Sequence, residues 1–319
     1  MSQASNVEIL DEEKAKLVGM KQVDPTAYQS YLSGIGHLYE FTPNSLDKAI
    51  QYFNLSVSKD SKYAPAYMGI ALAWGAKMQF GYLSRDLAKQ AIIDASAKAL
   101  AVDNTSAVIH YNLAVNNAWF FWDWQEADKE FQETIELDPR HAEARAYYAH
   151  FLNFMDRNSE AQIQADEALR LRPKNSTIQT LYGMHLNHSR SYEEAAKILI
   201  KTLEKDPEYL MALSTLWTVY HNSDQFELAA ETAKVLYSVK GEDEVVDILI
   251  NNYIDHGYQF AMEKIAEAYI IKNDTSYVTP WQISTLYARA GTISSSLDWL
   301  EKLIKLRIQI CPISMLILF

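Results

Sequence analysis

His185 and His188 stand three residues apart, a spacing that places two imidazoles on one helix face, and His150 lies upstream of them. A zinc site needs three or four converging ligands. No Cys-x-x-Cys or His-Glu-x-x-His pattern accompanies these histidines, so the sequence predicts no metal. The carboxylates Asp123, Glu126, Asp128, Glu130, Glu133 and Glu136 recur as the outer side of an amphipathic helix, some of them beside Lys129. That pattern predicts a solvated face rather than an acid/base pair. Gly-x-Ser-x-Gly, a phosphate-binding loop and a dinucleotide fingerprint are all missing. The sequence therefore predicts no catalytic residue and no cofactor. Asparagine offers different chemistry. One amide carries both a donor and an acceptor, so a row of them can pair with the backbone of an extended peptide of any sequence.

A row needs elements to hold it, and a repeat supplies them. Glu136-Leu-Asp-Pro139 recurs as Arg170-Leu-Arg-Pro173 and as Glu204-Lys-Asp-Pro207, two steps of 34 residues (173−139 and 207−173), and a third step lands on Gly241. A fixed period of that length marks a two-helix unit. Before each proline, small and bulky residues recur on one helix face: Ala127, Phe131, Thr134; Ala161, Ala165, Ala168; Ala195, Ile198, Thr202. Proline stops each hairpin at a set length. The first helix of a unit carries a bulky residue followed by a small one, as in Tyr148-Ala149 and Tyr182-Gly183. Looser units surround these. Ala49 and Phe53 end an early one; Tyr67, Ile70, Ala71 and Trp74 begin the next, whose partner follows a loop at 77–85. Ala261, Ile265 and Ala268 mark a seventh second helix, and Tyr287, Gly291, Leu297 and Leu300 an eighth unit.

The arrangement resembles the tetratricopeptide (TPR) pattern residue type by residue type. It predicts an all-α chain, a right-handed α-solenoid of about eight hairpins over 24–302, with a lead-in at 1–23. Stacked hairpins of this kind line a concave groove with their first helices. Projecting the period onto those helices turns Asn112, Asn116, Trp119, His150, Asn153, Thr180, Met184, Asn187, His188, Thr218, His221 and Asn222 inward, with Glu143, Thr177 and Ser214 beside them. This lining is neutral and polar, and Asn153 and Asn187 would stand one above the other. Groove lysines and arginines that grip a terminal carboxylate in chaperone-binding repeats have no counterpart here. Asn112, Asn116, Thr177 and Leu181 occupy those places. The aromatic group Trp119, Phe120, Phe121, Trp122 and Trp124 is the densest on the chain; it predicts a packed hairpin corner, or a partner's anchor if exposed.

Composition agrees with a helical array. Among 319 residues there are only ten glycines and eight prolines, and the formal charge is −12, which argues against nucleic acid. The single Cys311 rules out a disulfide within the chain. With no basic start and no apolar run long enough to span a bilayer, the chain is expected to be cytoplasmic and not membrane-bound.

Four segments carry a narrower resemblance: Asp24-Pro-Thr-Ala-Tyr-Gln-Ser-Tyr-Leu-Ser-Gly34, Leu46-Asp-Lys-Ala-Ile-Gln-Tyr-Phe53, Tyr63-Ala-Pro-Ala-Tyr67 and Trp122-Asp-Trp-Gln-Glu-Ala-Asp-Lys-Glu-Phe131. Together they are similar to the C-terminal repeat region of bacterial signalling proteins in which an adenylate-cyclase-like or winged-helix domain, often with a TolB-like segment, precedes the repeats. The resemblance implies a sensory or docking half of a regulator. No residue here matches its cyclase or DNA-binding machinery. Residues 303–319 depart from the pattern: a small residue belongs where Leu303 stands, and the apolar tail reads as the product of a shifted frame. The expected function is a non-catalytic scaffold for a protein or extended peptide segment. The alternative is the substrate-binding repeat region of a split or truncated enzyme of cyclase or glycosyltransferase type.

Overall fold

The computed structural model describes residues 23–38, 42–79, 82–83, 85–273 and 278–305. Most of the expected lead-in and the tail beyond residue 305 lie outside the described residues. No strand occurs among the described residues, where sixteen α-helices pair into eight hairpins. The chain divides into two compact units, Met1–Asn104 and Thr105–Phe319.

The first unit holds two hairpins, α1 (Pro25–Leu38) with α2 (Pro43–Lys59) and α3 (Ala64–Gln79) with α4 (Arg85–Val102). Pro43 opens α2 where no donor is needed. Thr42 caps it, exchanging hydrogen bonds with Ser45 in a capping box. The apolar stripe Leu46, Ala49 and Phe53 is fully buried, as its three- and four-residue spacing requires. Helix α3 continues to Gln79, so the expected loop at 77–85 is shorter than the sequence pattern implied.

The second unit holds six hairpins. Their first helices are α5 (Ala107–Val115, extended by a π-helical segment Asn116–Phe121), α7 (Ala142–Phe154), α9 (Ser176–His188), α11 (Leu210–Asn222), α13 (Asp243–His256) and α15 (Pro280–Ala290). Their second helices are α6 (Trp124–Leu137), α8 (Asn158–Leu171), α10 (Tyr192–Lys205), α12 (Phe226–Val239), α14 (Tyr258–Lys272) and α16 (Ile293–Lys305). Leu303, inside α16, is buried.

The 34-residue period is visible in the backbone. Asp156, Arg190 and Asp224 are 34 apart (190−156 and 224−190), and each adopts a left-handed conformation, with φ of 57°, 61° and 58°. Each follows a first helix and closes it the same way. Arg157 donates its N–H to Leu152 O at 2.9 Å, Ser191 to Leu186 O at 2.8 Å, and Gln225 to Tyr220 O at 2.9 Å. These bonds satisfy helix-end carbonyls and aim the second helix back along the first. Between the helices of one hairpin, Gly183 meets Leu199 so closely that a Cβ on Gly183 would lie 2.9 Å from Leu199 Cγ. The small position in the repeat is therefore a steric requirement.

Hairpin α13–α14 breaks the regularity. One residue, Gly257, joins its helices at φ 86° and ψ 179°, a backbone reserved for glycine. Helix α13 buries only Val245 and Leu249 and leaves Ile254 75% exposed, while α14 buries Tyr258, Ala261, Met262, Ile265, Ala266 and Tyr269. Helix α13 packs chiefly on α12 and α14, and α15 packs on α14.

Candidate binding groove

The residues expected along the groove come from successive first helices of the second unit. Nearest its N-terminus, Asn112 spends its amide on its own helix, donating to Val108 O at 2.7 Å. Asn116 is buried on the π-helical segment and its Nδ2 has no hydrogen-bond partner among the described residues. A π turn inserts an extra residue into the helix. Here it precedes Trp122, which closes the segment at φ 55°. Trp119 is buried, edge-on to Phe131 and Tyr147 and near-parallel to the His150 ring at 6.1 Å. The aromatic group thus packs a hairpin corner at Trp119, while Trp124 is exposed.

His150 and Asn153 follow on α7, both buried. Burial drives the His150 imidazole down to about 3, with His188 a lesser contributor, so the ring is neutral. Its Nε2 has no partner among the described residues. Asn153 Oδ1 lies 3.2 Å from His185 Nδ1, whose other nitrogen lies 2.9 Å from Gln162 Oε1. Burial also lowers His185, and a neutral imidazole donates only once. Turning the Asn153 amide gives the second imidazole nitrogen a donor. In either orientation one end of this amide pairs with His185 and the other, assigned as Nδ2, is left over.

On α9, Thr180 returns its hydroxyl proton to Ser176 O at 2.8 Å, and Met184 joins the apolar core. Asn187 is buried and accepts from Asn222 Nδ2 at 3.2 Å, so two of the asparagines, 35 residues apart on successive first helices, pair with each other. His188 is half-buried, and burial lowers it. On α11, Thr218 donates to Ser214 O at 3.0 Å. Burial pushes His221 down to about 4, and its Nδ1 has no partner among the described residues. The structure thus joins Trp119 with His150, Asn187 with Asn222, and Asn153 with His185. It keeps Asn112 and Thr180 to their own helices.

Three groups escaped the sequence reading. Glu130, expected on a solvated acidic face, is buried and accepts from His110 Nδ1 at 2.5 Å; burial raises its carboxyl, the histidine opposing. The correction arises because His110 arrives from the neighbouring helix, which the α6 pattern cannot reveal. Asp128 on the same helix accepts from Tyr148 and Arg157, both at 2.7 Å. The third is Arg289, buried on α15. It donates from Nη2 to Thr218 Oγ1 at 2.9 Å and sets its guanidinium 4.0 Å from the centre of the Trp217 ring. One signal pointed there. Stepping 34 residues from Ala149 to Gly183 to position 217 replaces a small residue by tryptophan. No group of three or more His, Cys, Asp or Glu able to hold a metal occurs among the described residues.

This arrangement is an α-solenoid of stacked helical hairpins. The hairpins are of the tetratricopeptide type, and solved structures of that type resemble the chain. PilF of Pseudomonas aeruginosa matches with a TM-score of 0.53 and 16% identity, over 69% of this chain and 94% of that one. A tetratricopeptide repeat protein from Parabacteroides merdae matches with a TM-score of 0.45 and 16% identity, over 87% and 98%. Yeast Tom70 matches with a TM-score of 0.46 and 15% identity, over 91% and 66%. At these identities the likeness concerns the fold alone. No family model matches the chain, and no curated protein matches it either.

Proposed function

We propose that the second unit is a non-catalytic scaffold that binds an extended peptide or protein segment along α5, α7, α9 and α11. One observation carries this reading. Asn116, His150, Asn153 and His221, at groove positions of three different hairpins, each retain a buried polar atom with no partner among the described residues. Such an atom costs about 1–3 kcal/mol until it is satisfied, so a ligand offering backbone donors and acceptors gains most where these atoms lie. Each new bond contributes roughly 0.5–1.5 kcal/mol net, and a handful with some packing gives an affinity of about micromolar. These atoms are buried, so reaching them requires the side chains that cover them to turn aside.

The test uses an array of short unstructured peptides. Sequences retained by the parent protein should bind Asn153→Ala plus Asn187→Ala at least about tenfold more weakly, given the loss of two hydrogen-bonding amides. Undiminished binding of every retained peptide would place the site elsewhere.

The sequence resemblance extends this proposal to a setting: the scaffold serves as the docking half of a bacterial signalling or transcription regulator in the cytoplasm. Its net charge of −12 disfavours nucleic acid as the ligand. No described helix is long and apolar enough to cross a membrane. Co-purification with a separately produced adenylate-cyclase-like domain would support the setting, and absence of any such association would remove it while leaving the scaffold reading intact.

A further inference from the structure

Helices α11, α12, α14 and α15 enclose a cavity of about 270 Å³ to which α13 contributes no lining residue. Its walls are aromatic: Trp217, Tyr237, Tyr269 and Trp281, with Leu236 and Leu286 between them. The polar groups around it divide into spent and unspent. Thr279 and Gln282 are engaged with each other in the capping box of α15. Thr285 donates to Gln282 O at 2.8 Å, and Tyr269 donates to Glu242 Oε2 at 2.5 Å. Two donors remain. The indole N–H of buried Trp281 has no hydrogen-bond partner among the described residues. The Lys240 ammonium, 2.9 Å from Glu242 Oε1, uses one N–H there and keeps others. Lys272 lies 3.6 Å from the other oxygen of Glu242, so two cations face one carboxylate and the local balance is positive.

We infer that this cavity binds an aromatic ring carrying a carboxylate, the ring between the tryptophans and tyrosines and the acid toward Lys240. Size limits the ligand. Pockets for drug-sized ligands measure roughly 300–1,000 Å³, so this smaller space holds one ring and a short acidic arm. Donors that cannot accept require acceptors from the ligand, and the apolar walls require a flat hydrophobic body. A free aromatic acid and the C-terminal aromatic residue of a partner both present this chemistry. The cavity meets the expected groove positions only at Ser214 and is lined by none of Asn116, His150, Asn153, Asn187 or His221, so Asn153→Ala plus Asn187→Ala leaves it unchanged.

The experiment follows the Trp281 Nε1–H resonance, assigned with Trp281→Phe, during titration of the full chain with 3-phenylpropionate, N-acetylphenylalanine and N-acetylphenylalaninamide. The acids should shift it with a Kd of about millimolar, as fragment-sized ligands do, and the amide should bind about tenfold more weakly, one charge-assisted contact being lost. Lys240→Met should erase that preference for the acid. Ser214→Leu, which fills the cavity from its wall, should abolish binding while the thermal midpoint shows the fold intact. A short peptide ending in phenylalanine that binds more tightly than the free acids assigns the site to a partner's C-terminus; weaker binding assigns it to a free acid. A Trp281 resonance that no acid moves, equal binding of acid and amide, or binding that survives Ser214→Leu overturns the proposal.

Discussion

Hairpins α7–α8 and α9–α10 repeat each other closely, whereas the run from α11 to α16 uses the same unit and arrives at a different packing. In the regular pair, the small positions are Ala149 and Gly183, and a Cβ on Gly183 would overlap Leu199. One period later both volumes invert, with Trp217 at the small position and Ala233 where Leu199 stood, both buried. Trp217 donates to the Tyr258 hydroxyl at 2.7 Å, lies edge-on to Tyr237 and carries the Arg289 guanidinium on its face. First helices α7 and α9 pack on each other, as do α9 and α11. At the next step a one-residue turn at Gly257 and an indole in place of a small residue accompany the change, and α14 buries six residues where α13 buries two. A repeat period therefore guarantees that the hairpin forms. It does not guarantee how that hairpin meets its neighbours.

Removing the indole acts on the irregular region alone. Trp217→Ala should cost about 3–5 kcal/mol, the range for truncating a buried aromatic, and should also strip Arg289 of its stacking partner. Urea denaturation measures it, and a loss below about 1 kcal/mol would mean that Trp217 does not organise this region.

Acid acts on both regions. His150 in the regular part and His221 in the irregular part have folded values of about 3 and about 4, below the ordinary 6.5, because burial disfavours the imidazolium. Below pH 6.5 the unfolded chain takes up protons that the native histidines refuse, so the stability they contribute is complete above that pH. It is lost as pH falls toward 3 for His150 and toward 4 for His221. Each contributes a slope of about 1.4 kcal/mol per pH unit in its window. Denaturation midpoints between pH 6 and pH 4 should flatten by that amount in His150→Gln, and an unchanged slope would show the imidazole to be hydrated.

Gly183→Ala probes the regular contact directly. The added methyl meets Leu199 at 2.9 Å, so the change should destabilise by about 1–3 kcal/mol, as overpacking does. Adding Leu199→Ala should recover part of that loss, and additivity of the two changes would contradict direct contact. The smallest effect belongs to the turns. Arg190 at φ 61° bears a left-handed strain that glycine does not. Arg190→Gly should therefore stabilise slightly, by less than about 1 kcal/mol after glycine's extra unfolded-state entropy is subtracted, read as a small rise in the thermal midpoint.

Much of this was legible beforehand. Three prolines at a fixed interval, with Ala161, Ala165 and Ala168 at helical spacing, required helices of set length that bury one face, and α8 buries those three alanines. The groove positions were legible as a register, which identifies residues on successive first helices but says nothing of what each touches. Asn187 pairs with Asn222, and Asn153 with His185. Those partners depend on rotamers and on the offset between neighbouring helices, and no spacing rule contains either. Glu130 shows the same limit from the other side, since an acidic residue in an acidic run gave no sign that a histidine from α5 would cover it.

The amino-acid order alone determined the helical hairpin, its length, its number of copies and the small residue where two helices touch, because each depends on interactions within some tens of residues. Tertiary structure alone decided that Arg289 would reach Thr218 across 71 positions and that four helices would leave an aromatic cavity between them. Small rotations between hairpins accumulate along a stack, and where they bring distant side chains together is set by packing of the whole unit, which no local pattern encodes.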